Sequence, residues 1–248
     1  MIAGLSLALL VGAALGLLGG GGSILTVPIF VYVLGIDPKA AIAMSLGVVA
    51  VVSLFGVRSH WREGRVDLRI ALAFGPVAML GTYAGARLSV FVSGATQLAL
   101  FAGVMLLAAV FMFRDRPEQA PSEGAGSLGR WLLIAVEGLA VGVLTGLVGV
   151  GGGFLIVPTL VLLAGVPMKT AVGTSLLVIA MKSVAGFVGY LGTPGIDLAF
   201  MGWFSAAAVL GIVLGSRAVG SIPQRTLRRT FAGFLVVMGI FILYQSLS

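Results

Sequence analysis

The chain has 248 residues, of which 59% are hydrophobic and only 9% charged, with a mean hydropathy of +1.17 and a formal net charge of +7. A soluble domain carries about 25% charged residues, so the composition excludes one and predicts an all-α, polytopic membrane protein. The absence of cysteine rules out disulfides, thiolate metal sites and cysteine nucleophiles, and the positive charge, gathered mostly in loops, reads as topology information and not as a nucleic-acid footprint.

In chain order, the first hydrophobic segment is Ile2–Leu18. It has no basic stretch before it and a counterpart further on, so it is expected to be a mature span and not a signal peptide. It leads into a glycine run, Gly16 to Pro28 (GLLGGGGSILTVP), which closes on a short apolar stretch with a proline. Ser23–Leu34, Ala40–Val57, Ile70–Val92 and Gln97–Phe113 follow. Arg114 to Arg130 is polar and rich in proline, glycine and serine, which predicts a solvated linker. Five more hydrophobic segments come after it: Trp131–Val148, Phe154–Ala164, Ala171–Leu191, Leu198–Val219 and Phe231–Leu247. The glycine run recurs among them as Gly146 to Pro158 (GLVGVGGGFLIVP).

A shift of 130 positions aligns Gly16–Phe113 with Gly146–Leu243 without a gap. About thirty of roughly a hundred positions are then identical, where composition alone gives roughly ten. The expected organisation is a first transmembrane repeat over 1–113, a cytoplasmic linker over 114–130 and a second repeat over 131–248. Each repeat has about five hydrophobic segments, and the second of each has only about a dozen residues, short of the ~20 a helix needs to span. With the glycines before it extended, such a segment does reach across, which predicts a broken span, half extended and half helix.

Charge tests whether these short segments cross. If they do, the repeats are inverted, and Arg58, Arg62, Arg65, Arg69, Arg114, Arg116, Arg130, Lys169, Arg217, Arg225, Arg228 and Arg229 fall on one side, against Lys39 and Arg87 on the other. If they are re-entrant, the repeats are parallel and the basic residues divide evenly. The positive-inside rule favours ten crossings and inverted repeats; re-entrant hairpins are the alternative.

Matched interruptions in two halves of a hydrophobic chain point to a transporter's binding site. A helix N-terminus presents unpaired N–H groups and about half a positive charge, which suits an anion. The candidate residues at the breaks are therefore Gly20, Gly21, Gly22 and Ser23, with Ser23 at the expected N-cap, and Gly151, Gly152 and Gly153. The bland alternative is that these glycines only let helices pack closely. Lys182 lies mid-span, where a lysine costs about 3 kcal/mol even on the lenient insertion scale. It either faces an anion or pairs with a carboxylate, Glu137 being the obvious one. Glu137 is also the candidate for a coupling proton. Ser45, Thr174 and Ser175, with Ser183 two turns beyond Ser175 and its counterpart Ser53 two turns beyond Ser45, offer hydroxyls to an oxyanion or to their own helices.

Gly81-x-x-x-Gly85 and Gly211-x-x-x-Gly215 fit close helix contacts, among them a homodimer seam. Arg87 and Arg217 near the span ends are expected to snorkel. His60 beside Trp61 reads as an interfacial anchor, and Asp67 and Asp197 as N-caps. No enzyme constellation occurs: neither glycine run ends in Gly-Lys-Ser/Thr, and there is no H-E-x-x-H or G-x-S-x-G. No metal, cofactor or nucleic-acid partner is expected.

The doubled glycine motif, clearest in Gly149-Val-Gly-Gly-Gly-Phe-Leu-Ile-Val-Pro158, and the following Ala-Val-Gly-Thr-Ser-Leu, Ala171 to Leu176, resemble the sulfite exporter TauE/SafE family, the 4-toluene sulfonate uptake permease group. The first copy departs at Gly20, Ser23 and Met44. The resemblance covers nearly the whole chain and implies an inner-membrane carrier of bacterial type for small sulfur-containing anions such as sulfite, sulfoacetate and other sulfonates. The expected function is secondary transport by alternating access with a midplane anion site. A passive anion channel and a non-transporting membrane scaffold subunit are the alternatives.

Overall fold

In the computed structural model of the chain, residues 2–113, 127–148, 153–162 and 165–247 are described. All regular structure among them is helical. The first half contains α1 (Ile2–Leu18), α2 (Gly21–Pro28) with a π-helical extension (Ile29–Val33), α3 (Pro38–Arg62), α4 (Leu68–Leu88) and α5 (Gly94–Phe113). The second contains α6 (Ser127–Val148), α7 (Gly153–Leu162), α8 (Met168–Gly189), α9 (Leu198–Ala218) and α10 (Gln224–Leu247). Among the described residues five helices are long and apolar enough to cross a membrane, belonging to α3, α4, α8, α9 and α10, and shorter apolar helices accompany them.

Local chemistry sets the helix ends. Asp67 accepts from the N–H groups of Arg69 and Ile70 at the start of α4, and Asp197 from that of Phe200 at the start of α9, as the N-cap readings require. Asp37 does the same for α3 through Lys39 and Ala40. The short second helix loses its α register after Pro28, which has no N–H to donate. Leu34 N–H instead reaches back five residues to Ile29 O at 3.0 Å, and Ile36 N–H reaches Phe30 O at 2.9 Å. The repeat equivalent of the second bond, Val166 N–H to Leu160 O, is also 2.9 Å.

The first glycine run is not extended, contrary to expectation. Only Gly19 and Gly20 separate α1 from α2, and Gly21 and Gly22 are already helical. Gly19 turns the chain at φ +64°, a left-handed conformation that glycine adopts without steric cost. The chain therefore needs only a two-residue turn there, and Gly20 and Gly22 serve close packing, against Gly153 and Leu15.

Glycine seams join the repeats. A Cβ on Gly85 would lie 2.2 Å from Val143 O, and one on Gly142 2.5 Å from Ala78 O, so α4 and α6 touch backbone to backbone. A Cβ on Gly215 would lie 2.2 Å from Ala13 O, and one on Gly16 2.5 Å from Ile212 O, so α1 and α9 do the same. In a membrane, where apolar area drives little association, such small-residue contacts carry helix packing. Gly81, Gly85, Gly211 and Gly215 are thus spent inside the chain, which corrects their reading as a dimer seam.

The glycine contacts also fix directions. Gly12 faces Ala208 and Gly16 faces Ile212, so α1 and α9 run the same way; Gly47 faces Met201 and Gly56 faces Ile212, so α3 shares that direction. Gly81 meets Leu139 and Gly85 meets Val143, and Gly186 meets Thr82 and Gly189 meets Ala86, so α4, α6 and α8 run together. Gly56 meets Leu176 while Gly186 meets Leu46, so α3 and α8 are antiparallel. With α1 and α3 running the same way, α2 and its π-helical extension carry the chain back between them. Packing follows the internal repeat: α4 lies on α6 as α9 lies on α1, α4 on α8 as α9 on α3, and α3 with α8 and α5 with α10 pair with their own equivalents.

The core sits on α3 and α8, whose most apolar stretches are 78% and 67% buried, against 39% for α4 and 44% for α9. Leu72, Leu80, Trp203, Leu210 and Leu214 are exposed on α4 and α9 and form the apolar outer surface such a protein turns to lipid.

Candidate functional site

The two glycine breaks meet. A Cβ placed on Gly20 would stand 1.7 Å from the carbonyl carbon of Gly153, and one on Gly153 would stand 2.3 Å from Gly20 Cα. No side chain fits at either position, so the first residues of α2 and α7 close on each other through bare backbone. Gly151 and Gly152 lie outside the described residues. Ser23 is not the N-cap of α2: Gly20 holds that position with a helical φ of −62° and no side-chain cap. The Ser23 hydroxyl turns back and donates to Gly20 O at 2.7 Å.

The other predicted hydroxyls divide into two groups. Ser45 donates to Ile42 O at 2.9 Å and Ser175 to Val172 O at 2.8 Å, both within their own helices. Thr174 accepts the Asp67 N–H at 2.9 Å and so ties α8 to the start of α4. Ser53 and Ser183, equivalents under the repeat, are fully buried, and neither hydroxyl has a partner among the described residues. Such an orphaned hydroxyl costs about 1–3 kcal/mol.

Lys182 is 0% exposed. Its Nζ donates to Thr145 Oγ1 at 2.8 Å, and Thr145 in turn donates to Gly142 O at 3.1 Å. No carboxylate pairs with it among the described residues. Glu137 sits half-buried on α6, eight residues before Thr145, or about 12 Å along the helix. The alternative of a Lys182–Glu137 pair is therefore corrected. Ser53, Lys182 and Ser183 all lie between the two contacts, Gly56–Leu176 and Gly186–Leu46, that bracket the crossing of α3 and α8. The crossing of the two most buried helices thus holds a lysine Nζ bonded to one hydroxyl, and two hydroxyls without a partner among the described residues.

Thr145 escaped the sequence reading, though a signal was present. Its repeat equivalent is Leu15, and that of Lys182 is Val52. Both polar residues replace apolar ones in the second repeat only, and they bond each other. His60 was misread: it is 1% exposed and its Nε2–H donates to Gly16 O at 3.3 Å, so it is an internal tie and not an interfacial anchor. Arg87 and Arg217 are exposed at the ends of α4 and α9.

No solved structure matches the chain. A probable membrane transporter protein of Xylella fastidiosa (strain 9a5c) is 31% identical over 241 residues, which covers 96% of this chain and 92% of that protein. The probable membrane transporter protein YdhB of Bacillus subtilis is 27% identical, over 95% of this chain and 97% of its own. One from Methanocaldococcus jannaschii is 29% identical over 96% and 95%. Together with a match to the family profile across residues 4–242, these relatives establish that the chain belongs to the sulfite exporter TauE/SafE family of multi-pass membrane transporters, a family that is not enzymatic.

Proposed function

We propose that this chain is a secondary transporter that moves small sulfur-containing anions, such as sulfite, sulfoacetate and other sulfonates, across a bacterial-type inner membrane by alternating access. The observation that carries this reading is Lys182, a fully buried lysine whose Nζ has one hydroxyl partner and no carboxylate among the described residues. A threonine cannot balance a charge on that amine, whereas a bound anion would favour and balance its protonated form. Ser183 and Ser53, buried and unpartnered, supply hydroxyl donors for its oxygens. The starts of α2 and α7, with Gly20, Gly21, Gly22, Gly151, Gly152 and Gly153 before or within them, add roughly one further positive charge between them. That balance suits a mono- or dianion the size of sulfite or a sulfonate.

The antiparallel run of α3 and α8, equivalents under the repeat, supports two inverted repeats of five segments around this site. In this reading the Gly20–Gly153 contact is a seal between the repeats, and access alternates as one bundle rocks on the other. The lipid bilayer and the small anion are the partners the reading requires.

Thermal stability of the detergent-purified protein against sulfite, sulfate, sulfoacetate, taurine, toluenesulfonate, acetate and chloride tests it. Saturable stabilisation by sulfite or a sulfonate, absent in Lys182→Ala, is the expected result. An equal, flat response of both proteins across the panel would overturn the anion site. Counterflow in proteoliposomes separates a carrier from a passive channel, which shows none.

A further inference from the structure

An apolar groove of about 470 Å³ opens on the outer surface of the bundle, between α1, α9 and α10. Its floor is made of small residues, Ala13 and Ala14 of α1 and Ala218 of α9, and its walls of large ones, Leu10, Leu214 and Phe234. Under the 130-residue shift every one of these sizes reverses. The floor positions become Val143, Leu144 and Leu88, and the wall positions become Ala140, Ala84 and Val104. Leu144 and Leu88 are exposed, at 43% and 49%, where the groove has its alanines. Packing differs in the same sense: α5 rests on α6, whereas its equivalent α10 barely touches α1 among the described residues. The repeat thus builds this place twice, once with a small floor between large walls and once the reverse.

The groove takes in the last turns of α1 and α9, so one end of it lies at the face where those helices stop and α10 starts. Leu10 is eight residues before the end of α1, and Phe234 ten after the start of α10. The groove therefore reaches about 12–15 Å inward, the depth of one leaflet of a ~30 Å hydrocarbon core. At its outer end Arg217 is exposed on the last turn of α9, next to Ala218 and one turn beyond Leu214. Arg225 and Arg229 are exposed on the first turns of α10 and add to the positive charge of that face; their equivalents in the first repeat are Ala95 and Ala99. Thr230 and Thr226, one and two turns before Phe234 on the same face of α10, are exposed as well.

We propose that the groove binds one acyl chain of a phospholipid whose anionic headgroup sits at Arg217. A phosphodiester pairs with the guanidinium and accepts from the threonine hydroxyls, while the chain runs inward over the alanine floor. A basic pocket between helices is the usual form of such a headgroup site. A zwitterionic lipid offers the same chain and phosphate but brings a cation to a face that already carries several. A second copy of the chain is the poorer occupant: a two-fold axis along the membrane normal would bring two basic ends to the same level. The site stands apart from Lys182 and does not depend on an anion binding there.

Native mass spectrometry of the purified full chain tests this, after incubation in mixed micelles with equal amounts of phosphatidylglycerol and phosphatidylcholine of the same acyl chains. The parent should retain one phosphatidylglycerol in preference to phosphatidylcholine by about fivefold, the scale on which one arginine at a membrane surface holds an anionic lipid. Arg217→Gln should remove the preference and leave a lipid bound. Ala14→Leu combined with Ala218→Leu installs the residues of the other repeat, Leu144 and Leu88, and should reduce retention of both lipids to background. Ala84→Leu, a matched leucine on exposed α4 surface, should leave retention as in the parent. Equal retention of the two lipids by the parent, or undiminished phosphatidylglycerol in the double-leucine variant, would overturn the site. So would a dimer that the two leucines break into monomers with no lipid held, since a second copy would then fill the groove. If the leucines prevent folding, Arg217→Gln decides alone, and an unchanged preference overturns the headgroup assignment.

Discussion

At the scale of single residues, the chain accepts a cost at the α3–α8 crossing that apolar packing would avoid. Val52 and Leu15 fill the equivalent places in the first repeat, so the fold does not need Lys182 or Thr145 there. Replacing Lys182 with methionine keeps the length of the side chain and removes a buried amine, while Thr145 retains its bond to Gly142 O. Lys182→Met is therefore expected to raise stability by about 1–3 kcal/mol while abolishing anion-dependent stabilisation. Thermal melts with and without the anion read both effects, and a variant that melts lower would make the lysine a structural strut. Glu137 belongs to a separate test. If it carries the coupling proton, Glu137→Gln leaves the anion-dependent melting shift intact and removes the pH dependence of uptake into proteoliposomes.

At the scale of elements, identical residues have opposite worth according to what they face. Gly85 and Gly215 lie against backbone, whereas a Cβ on Gly103 would meet nothing within 4 Å. Gly85→Ala is expected to destabilise by at least about 1–3 kcal/mol through overpacking. Gly103→Ala, by contrast, should gain up to about 1 kcal/mol from helix propensity. Unfolding in mixed micelles distinguishes them, and equal effects would mean that the α4–α6 seam is not the close contact described. Gly20→Ala belongs with the first class: the methyl group has to displace Gly153. It should weaken the seal between the breaks and raise passive anion leak.

At the scale of the whole molecule, the direction of α3 against α8 decides the topology. Inverted repeats put the α3–α4 turn at Gly64 and the α8–α9 turn at Gly192 on opposite faces of the membrane. Parallel repeats with re-entrant hairpins would put them on the same face. Gly64→Cys and Gly192→Cys, both at open turns with no neighbour within 4 Å of an added Cβ, can report this in the cysteine-free chain. Labelling of intact cells should reach one and not the other. Labelling of both from one side would rule out the inverted arrangement.

Sequence alone was enough to recognise a membrane protein, a duplication and the family, because these depend on composition, spacing and motif, which need no partner in space. It also located the cap residues Asp67 and Asp197, since an N-cap bonds within three residues of itself. It singled out Lys182 because a charge in an apolar run is costly whatever surrounds it. What each residue faces was a different matter. That Gly20 rests on Gly153, that Gly81 and Gly211 are used within the chain, and that Ser53 and Ser183 are orphaned while Ser45 and Ser175 are not, all depend on contacts between distant segments. The pairing of Lys182 with Thr145, 37 residues away, and of His60 with Gly16, 44 away, likewise followed only from how α6 and α8 both pack on α4, and α1 and α3 on α9. Local chemistry settles where helices start and stop; which faces meet is settled by packing of the whole bundle, and the candidate site exists only there.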